Sequence, residues 1–151
     1  MKLFSESVLP PRGAVLTIGN FDGVHIGHQK LIKRVIEIAR QKNVLSLAIT
    51  FEPHPRRVLG KDPDLCMISS FEHKAKLLAD CGLDGLWVIP FDLNFAKIPA
   101  DEFIEDVLFR KIAFSSLVVS EKYFFGKDRL GDASLLNRLS KELGFSIKFI
   151  S

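Results

Sequence analysis

The sequence predicts an α/β fold, a doubly wound parallel sheet of five strands with helices on both faces. Two observations carry this. Short β-branched, apolar runs alternate with stretches of helical periodicity along the whole chain, an order that belongs to parallel sheets covered on both sides. Glycine and proline punctuate the junctions between them. Right-handed crossovers then wind such a sheet in both directions. At 151 residues, the chain reads as one domain over 1–151, able to bury about 68–70% of the surface its unfolded form exposes.

The elements follow in order. Ala14 to Ile18 is apolar and ends at Gly19, as a buried strand does. Leu31, Ile32, Val35, Ile36 and Ala39 recur at helical spacing and predict a helix over 28–40. Val44 to Phe51 is a second strand, closed by Pro53 and Pro55, and 53–63 reads as the longest loop. Ser69 and Glu72 have capping-box spacing and open a helix reaching about Cys81, where Gly82 stops it. Leu86 to Ile89 is the third strand, and Pro99 to Ile112 is a helix with proline in its first turn. Leu117 to Val119 forms the fourth strand. Asp132 caps a helix ending near Gly144, and Ser146 to Ile150 is the fifth strand.

Composition narrows the function. The net charge is +3, and the basic residues are scattered rather than gathered into the concentrated face of a nucleic-acid binder. Cys66 and Cys81 lack metal-ligand spacing and suggest no disulfide framework, so they read as thiols in a reducing cytosol. No signal-peptide run follows Lys2, and no stretch of about 18 apolar residues is present to span a bilayer. The expectation is a cytoplasmic protein without nucleic-acid or membrane partners; the sequence does not fix its oligomeric state. Thirteen Phe against one Tyr and one Trp point to core packing, since Phe has no polar atom to satisfy.

The segment richest in chemistry runs Thr17-Ile18-Gly19-Asn20-Phe21-Asp22-Gly23-Val24-His25-Ile26-Gly27-His28, leaving a strand and entering a helix. Gly19, Gly23 and Gly27 allow tight turning and close approach to a ligand. His25 and His28, three apart, can face one side of a helix start. The helix terminus adds free N–H groups and partial positive charge, so the segment suits a phosphate. The plainer alternative is a glycine-rich turn with two surface histidines. No Gly-Lys-Ser/Thr follows, which excludes a Walker loop, and the spacing is not Gly-x-Gly-x-x-Gly. No third ligand has the spacing for a metal pair, so no metal ligand is assigned.

His25-x-Gly27-His28 resembles the signature of the nucleotidyltransferase superfamily, which has a Rossmann-like fold. The longer string from Gly19 to His25 resembles the adenylyltransferase (FAD synthetase) module of prokaryotic bifunctional riboflavin kinase/FAD synthetases. Thr50-Phe51-Glu52-Pro53-His54-Pro55 is similar to that family's second motif. Phe91-Asp92, Phe95-Ala96 and Glu102-Phe103-Ile104 are similar to its middle segment, and Phe125-Gly126-Lys127 with Arg129, Gly131 and Asp132 to its third block.

The resemblance implies transfer of AMP from ATP to FMN, with Mg2+, giving FAD and pyrophosphate. It implies that His25 and His28 hold the ATP phosphates and stabilise the departing pyrophosphate. Gly19, Asn20, Phe21, Asp22 and Gly27 would form the ATP side, with Lys122, Phe125 and Gly126 from the third block. Phe51, Pro53, His54 and Pro55 would build the flavin side. Arg56 and Arg57 are equally readable as contacts to the FMN phosphate or as a solvated loop.

Two departures stand against the family pattern. In Ser120-Glu121-Lys122-Tyr123-Phe124-Phe125-Gly126, Lys122 replaces a short polar residue, and Ser120 replaces a glycine and is expected to restrict the backbone. The family also continues into a Ser/Thr-rich closing segment ending in Arg and a riboflavin kinase module, neither of which is found within residues 1–151. The alternative reading is therefore a catalytically impaired flavin/nucleotide-binding module of the same fold. A cytidylyltransferase is a third reading, disfavoured by Pro53-His54-Pro55.

Overall fold

The computed structural model describes residues 1–24, 26–60 and 70–151, and of Arg56 and Arg57 the backbone alone. Six strands form one parallel sheet in the order β1-β4-β3-β2-β5-β6. They are β1 (Lys2–Phe4), β2 (Val15–Ile18), β3 (Ser46–Glu52), β4 (Gly85–Pro90), β5 (Ser116–Ser120) and β6 (Ser146–Ile150). The predicted five are all present. The sixth, β1, corrects the count: it is three residues long and buries only Phe4, so it carries no periodic signal.

The helices are α1 (Ile26–Lys42), α2 (Pro55–Val58), α3 (Phe71–Asp80), α4 (Ala100–Glu102), α5 (Arg110–Ile112) and α6 (Ala133–Leu143). A π-helical stretch, Phe103–Phe109, joins α4 to α5, so 100–112 is one continuous helical segment. Helix α2 lies inside the expected loop. Ser70 caps α3, its hydroxyl accepting from His73 N at 3.2 Å; the expected cap, Ser69, lies outside the described residues, as does Cys66. Asp132 caps α6 as expected, accepting from Leu135 N at 2.9 Å, and Gly144 ends it in the left-handed conformation that glycine adopts without penalty.

Strand alternation divides the core between the two faces. Leu16, Ile18, Leu47, Ile49, Trp87, Ile89, Leu117 and Val119 pack against the 100–112 segment and α6. Val15, Ala48, Leu86 and Val118 pack against Leu31, Ile32, Val35 and Ala39 of α1 and Leu78 of α3. The chain runs outward from β2 through β3 to β4, then crosses to β5 and β6 on the other side. That reversal opens a crevice at the carboxyl ends of the central strands, where ligands bind in doubly wound sheets. Among the described residues, no helix is long and apolar enough to cross a membrane.

The opposite, amino edge is locked by polar contacts. Arg40 donates from Nη1 and Nη2 to the two oxygens of Asp84 at 2.8 and 3.2 Å, and Asp84 also accepts from Ser46 N and Oγ. This joins the last turn of α1 to the start of β3 and the residue preceding β4. The Arg40 hydrogen bond, opposed by partial burial, holds the Asp84 carboxyl below its usual range.

Candidate active site

The carboxyl edge carries a cleft of about 910 Å3. Gly19 and Asn20 enter it after β2, Phe51, His54 and Pro55 around the end of β3, and Phe91, Phe95 and Phe103 from the next crossover. Lys122, Phe125 and Gly126 close it from the loop after β5. Three sequence motifs far apart in the chain therefore share one cavity.

One wall is aromatic. The Phe51 ring lies 5.9 Å from Phe91, 5.9 Å from Phe95 and 6.0 Å from Phe103. Phe103 reaches Phe125 at 6.3 Å, and Tyr123 stacks on Phe125 at 5.3 Å. Such offset and edge contacts suit aromatic quadrupoles and leave flat apolar faces for a planar ligand. Phe103 sits at the start of the π-helical stretch, a winding often found at functional sites. Desolvation by burial pushes the Tyr123 phenol above its usual range, against the opposing pull of Arg129.

The loop after β2 meets the cleft through Gly19 and Asn20, whereas the expected site residues Phe21, Asp22, Gly27 and His28 stand behind them and do not line it. Asp22 to Val24 form a single 3-10 turn. Phe21 and Val24 have φ of 55° and 41°. For a bulky or β-branched side chain this is an outlier of the kind that clusters at ligand sites. Phe21 is buried in the core, and its ring meets His28 edge-on at 5.3 Å. His28 and Gly27 lie in the first turn of α1. Asp22 Oδ2 lies 3.3 Å from His54 Nε2, which joins the first motif to the second. Pro53 is exposed at the turn after β3 and does not line the cleft. Arg56 belongs to α2. The expected catalytic His25 lies outside the described residues.

The third block is held by its backbone. Phe125 and Gly131 form an antiparallel bridge, and Lys127 N donates to Ile98 O at 3.0 Å. Gly126 has φ +77°, and a Cβ there would stand 2.5 Å from Ala100 Cα, so only glycine fits. Ser120, where glycine was the expected family residue, is free of positive φ. Its hydroxyl accepts from Lys122 N at 3.2 Å and its carbonyl from Tyr123 N at 3.1 Å, so it anchors the turn. Lys122 is exposed on the cleft rim.

Lys74 was not legible as a site residue. It is almost wholly buried on α3, and its ammonium meets Asn20 O, Thr50 Oγ1 and Glu52 Oε1. The available signal was a lysine interrupting the apolar stripe Phe71, Ala75, Leu78. Among the described residues, no group of three or more His, Cys, Asp or Glu could hold a metal ion.

Comparison with known proteins agrees with this geometry. The FAD synthetase family pattern matches residues 9–151. A bifunctional riboflavin kinase/FMN adenylyltransferase of Escherichia coli (strain K12) is 38% identical over 141 residues, 93% of this chain and 45% of that protein. One of the same description from Pseudomonas fluorescens is 32% identical over 137 residues, 91% of this chain and 44% of that protein. The chain thus spans a little under half the length of these curated relatives. A crystal structure described as a macrolide-efflux protein from Streptococcus pneumoniae superposes with a TM-score of 0.86 at 24% identity, covering 99% of this chain and 50% of that one; the likeness supports the fold. With the family pattern covering nearly the whole chain and its motifs gathered around one cleft, this chain belongs to the FAD synthetase family.

Proposed function

We propose that this chain transfers an adenylyl group from ATP to FMN. A phosphate oxygen of FMN attacks the α-phosphorus of ATP. The new P–O bond forms as the bond from the α-phosphorus to the bridging oxygen of the β-phosphate breaks, and FAD and pyrophosphate leave. No side-chain nucleophile takes part, so catalysis consists of positioning and of neutralising the charge that grows on the leaving group. The observation that carries the reading is the convergence of the Gly19–Asn20 loop, the Phe51–His54–Pro55 turn and the Phe125–Gly126 turn on one cleft with an aromatic wall.

The residues divide by chemistry. Phe51, Phe91, Phe95 and Phe103 receive the isoalloxazine ring. His28, at the start of α1, holds the ATP phosphates together with His25, three positions earlier in the sequence, and the positive end of the helix dipole favours the anion. Gly27 admits the phosphates close to the backbone, and Asp22 orients His54 on the flavin side. Lys122 supplies positive charge at the rim. Mg2+ arrives as the MgATP complex, held chiefly by phosphates and water. The reaction takes place in the cytoplasm.

Incubation with ATP, Mg2+ and FMN, followed by chromatographic detection of FAD, tests this. FAD accumulating in step with pyrophosphate is the expected result. Saturable binding of both ligands without FAD would select the flavin- and nucleotide-binding module, the reading that Lys122 favours.

A further inference from the structure

We infer that Lys74 is a positioning residue that clamps the ATP-side loop and the flavin-side turn into one fixed arrangement. The inference deepens the adenylyl-transfer reading and rests on it for the identity of the ligands.

A lysine ammonium has three N–H donors and no acceptor. At Lys74 three acceptors surround it: Asn20 O at 2.9 Å, Thr50 Oγ1 at 3.1 Å and Glu52 Oε1 at 3.0 Å. Lys74 is 2% exposed, and a charge so buried persists only where it is paired and hydrogen-bonded. The acceptors are not local to α3: Asn20 lies 54 residues away and Glu52 22.

Each acceptor leads to the cleft. Asn20 lines it directly. Thr50 and Glu52 flank Phe51, whose ring forms the aromatic wall. The Glu52 carbonyl accepts from Phe91 N at 3.0 Å, which fixes a second wall residue. The same ammonium thus sets where the nucleotide loop stands relative to the flavin wall, and in-line transfer depends on that separation. The Asn20 carbonyl belongs to the loop that lines the cleft, so the ammonium's third bond ties the cleft loop to β3.

The test compares Lys74→Met, Lys74→Arg and Glu52→Gln with the unaltered full chain, by steady-state kinetics and by backbone amide hydrogen exchange. In Lys74→Met, KM should rise about tenfold for both ATP and FMN, with kcat falling as well. Exchange should quicken about tenfold at 19–24 and at 52–54 while β2 and β5 stay protected. Lys74→Arg, which keeps charge and donors, should recover most of both effects. If Lys74→Met does not fold, Glu52→Gln decides, with the same pattern at smaller amplitude. Unchanged exchange in both turns with unchanged KM values would overturn the inference, as would effects confined to one substrate and one turn. A wild-type chain inert toward ATP and FMN would sink the adenylyl-transfer reading; the exchange rates of the two turns would then decide the clamp alone.

Discussion

On the side of the cleft that follows β3 and β4, Phe51, Phe91, Phe95 and Phe103 meet ring to ring and merge with the core. On the side that follows β2, the chain is held by single polar contacts and by backbone in a rarely populated conformation: Lys74 to Asn20, Asp22 to His54, and positive φ at Phe21 and Val24. The first wall is built from area, so its contribution is shared among many atoms and scales with the volume removed. The second depends on a few hydrogen bonds, whose loss leaves charged or polar atoms uncompensated. Changes to the aromatic wall should therefore act chiefly on stability and flavin affinity, and changes to the loop chiefly on nucleotide affinity.

The largest effect should come from Phe103→Ala. Its ring is buried and touches Phe51, Phe95 and Phe125, so truncation should cost about 3–5 kcal/mol in denaturant unfolding. FMN affinity should fall more than ATP affinity; the reverse order would break the division between walls. Next is Gly126→Ala. The left-handed φ and the 2.5 Å approach to Ala100 predict a loss of about 1–3 kcal/mol, visible as a lower melting temperature. A variant as stable as wild type would show that this loop shifts freely.

His28→Ala should leave the unliganded melt within a few degrees of wild type and weaken ATP binding by about 1.5–3 kcal/mol, the range for hydrogen bonds to charged groups. Melting curves with and without ATP separate the two outcomes; a large drop without ligand would make His28 part of the core built on Phe21. The smallest effect is expected at the opposite edge. The Asp84 carboxyl is held below its usual range by the Arg40 hydrogen bond. A depressed folded pKa contributes stability above the unfolded value, near 3.9, and loses it as pH falls through the folded one. Asp84→Asn should flatten that acid-side loss by about 1 kcal/mol or less, because solvent screens the pair, and should leave ATP and FMN binding unchanged.

The strand–helix order was legible because each buried strand is a short apolar run and each long helix carries a clear stripe; Ser46–Glu52 and Ala133–Leu143 fall where periodicity and caps put them. The motifs at 19–28 and 50–55 were legible as glycine and proline turns. What escaped is tertiary. β1 exists because Lys2, Leu3 and Phe4 pair with Gly85, Leu86 and Trp87, a partnership no local pattern announces. The Asp22–His54 pair joins residues 32 positions apart by number, and the Lys74 cluster joins three elements. The π-helical stretch at Phe103–Phe109 has the sequence of an ordinary amphipathic helix.

Central to this account is the claim that one cleft at the carboxyl edge receives FMN on the aromatic wall and ATP on the β2 loop. Amide chemical-shift mapping on addition of FMN and then MgATP tests it most directly. FMN should move the amides of Phe51, Phe91 and Phe95, and MgATP those of Gly19, Asn20, Gly27, His28 and Gly126, with Arg40, Ser46 and Asp84 unmoved by either. Shifts gathered around Arg40 and Asp84 at the amino edge, with the Gly19 and Phe91 amides unmoved, would contradict it.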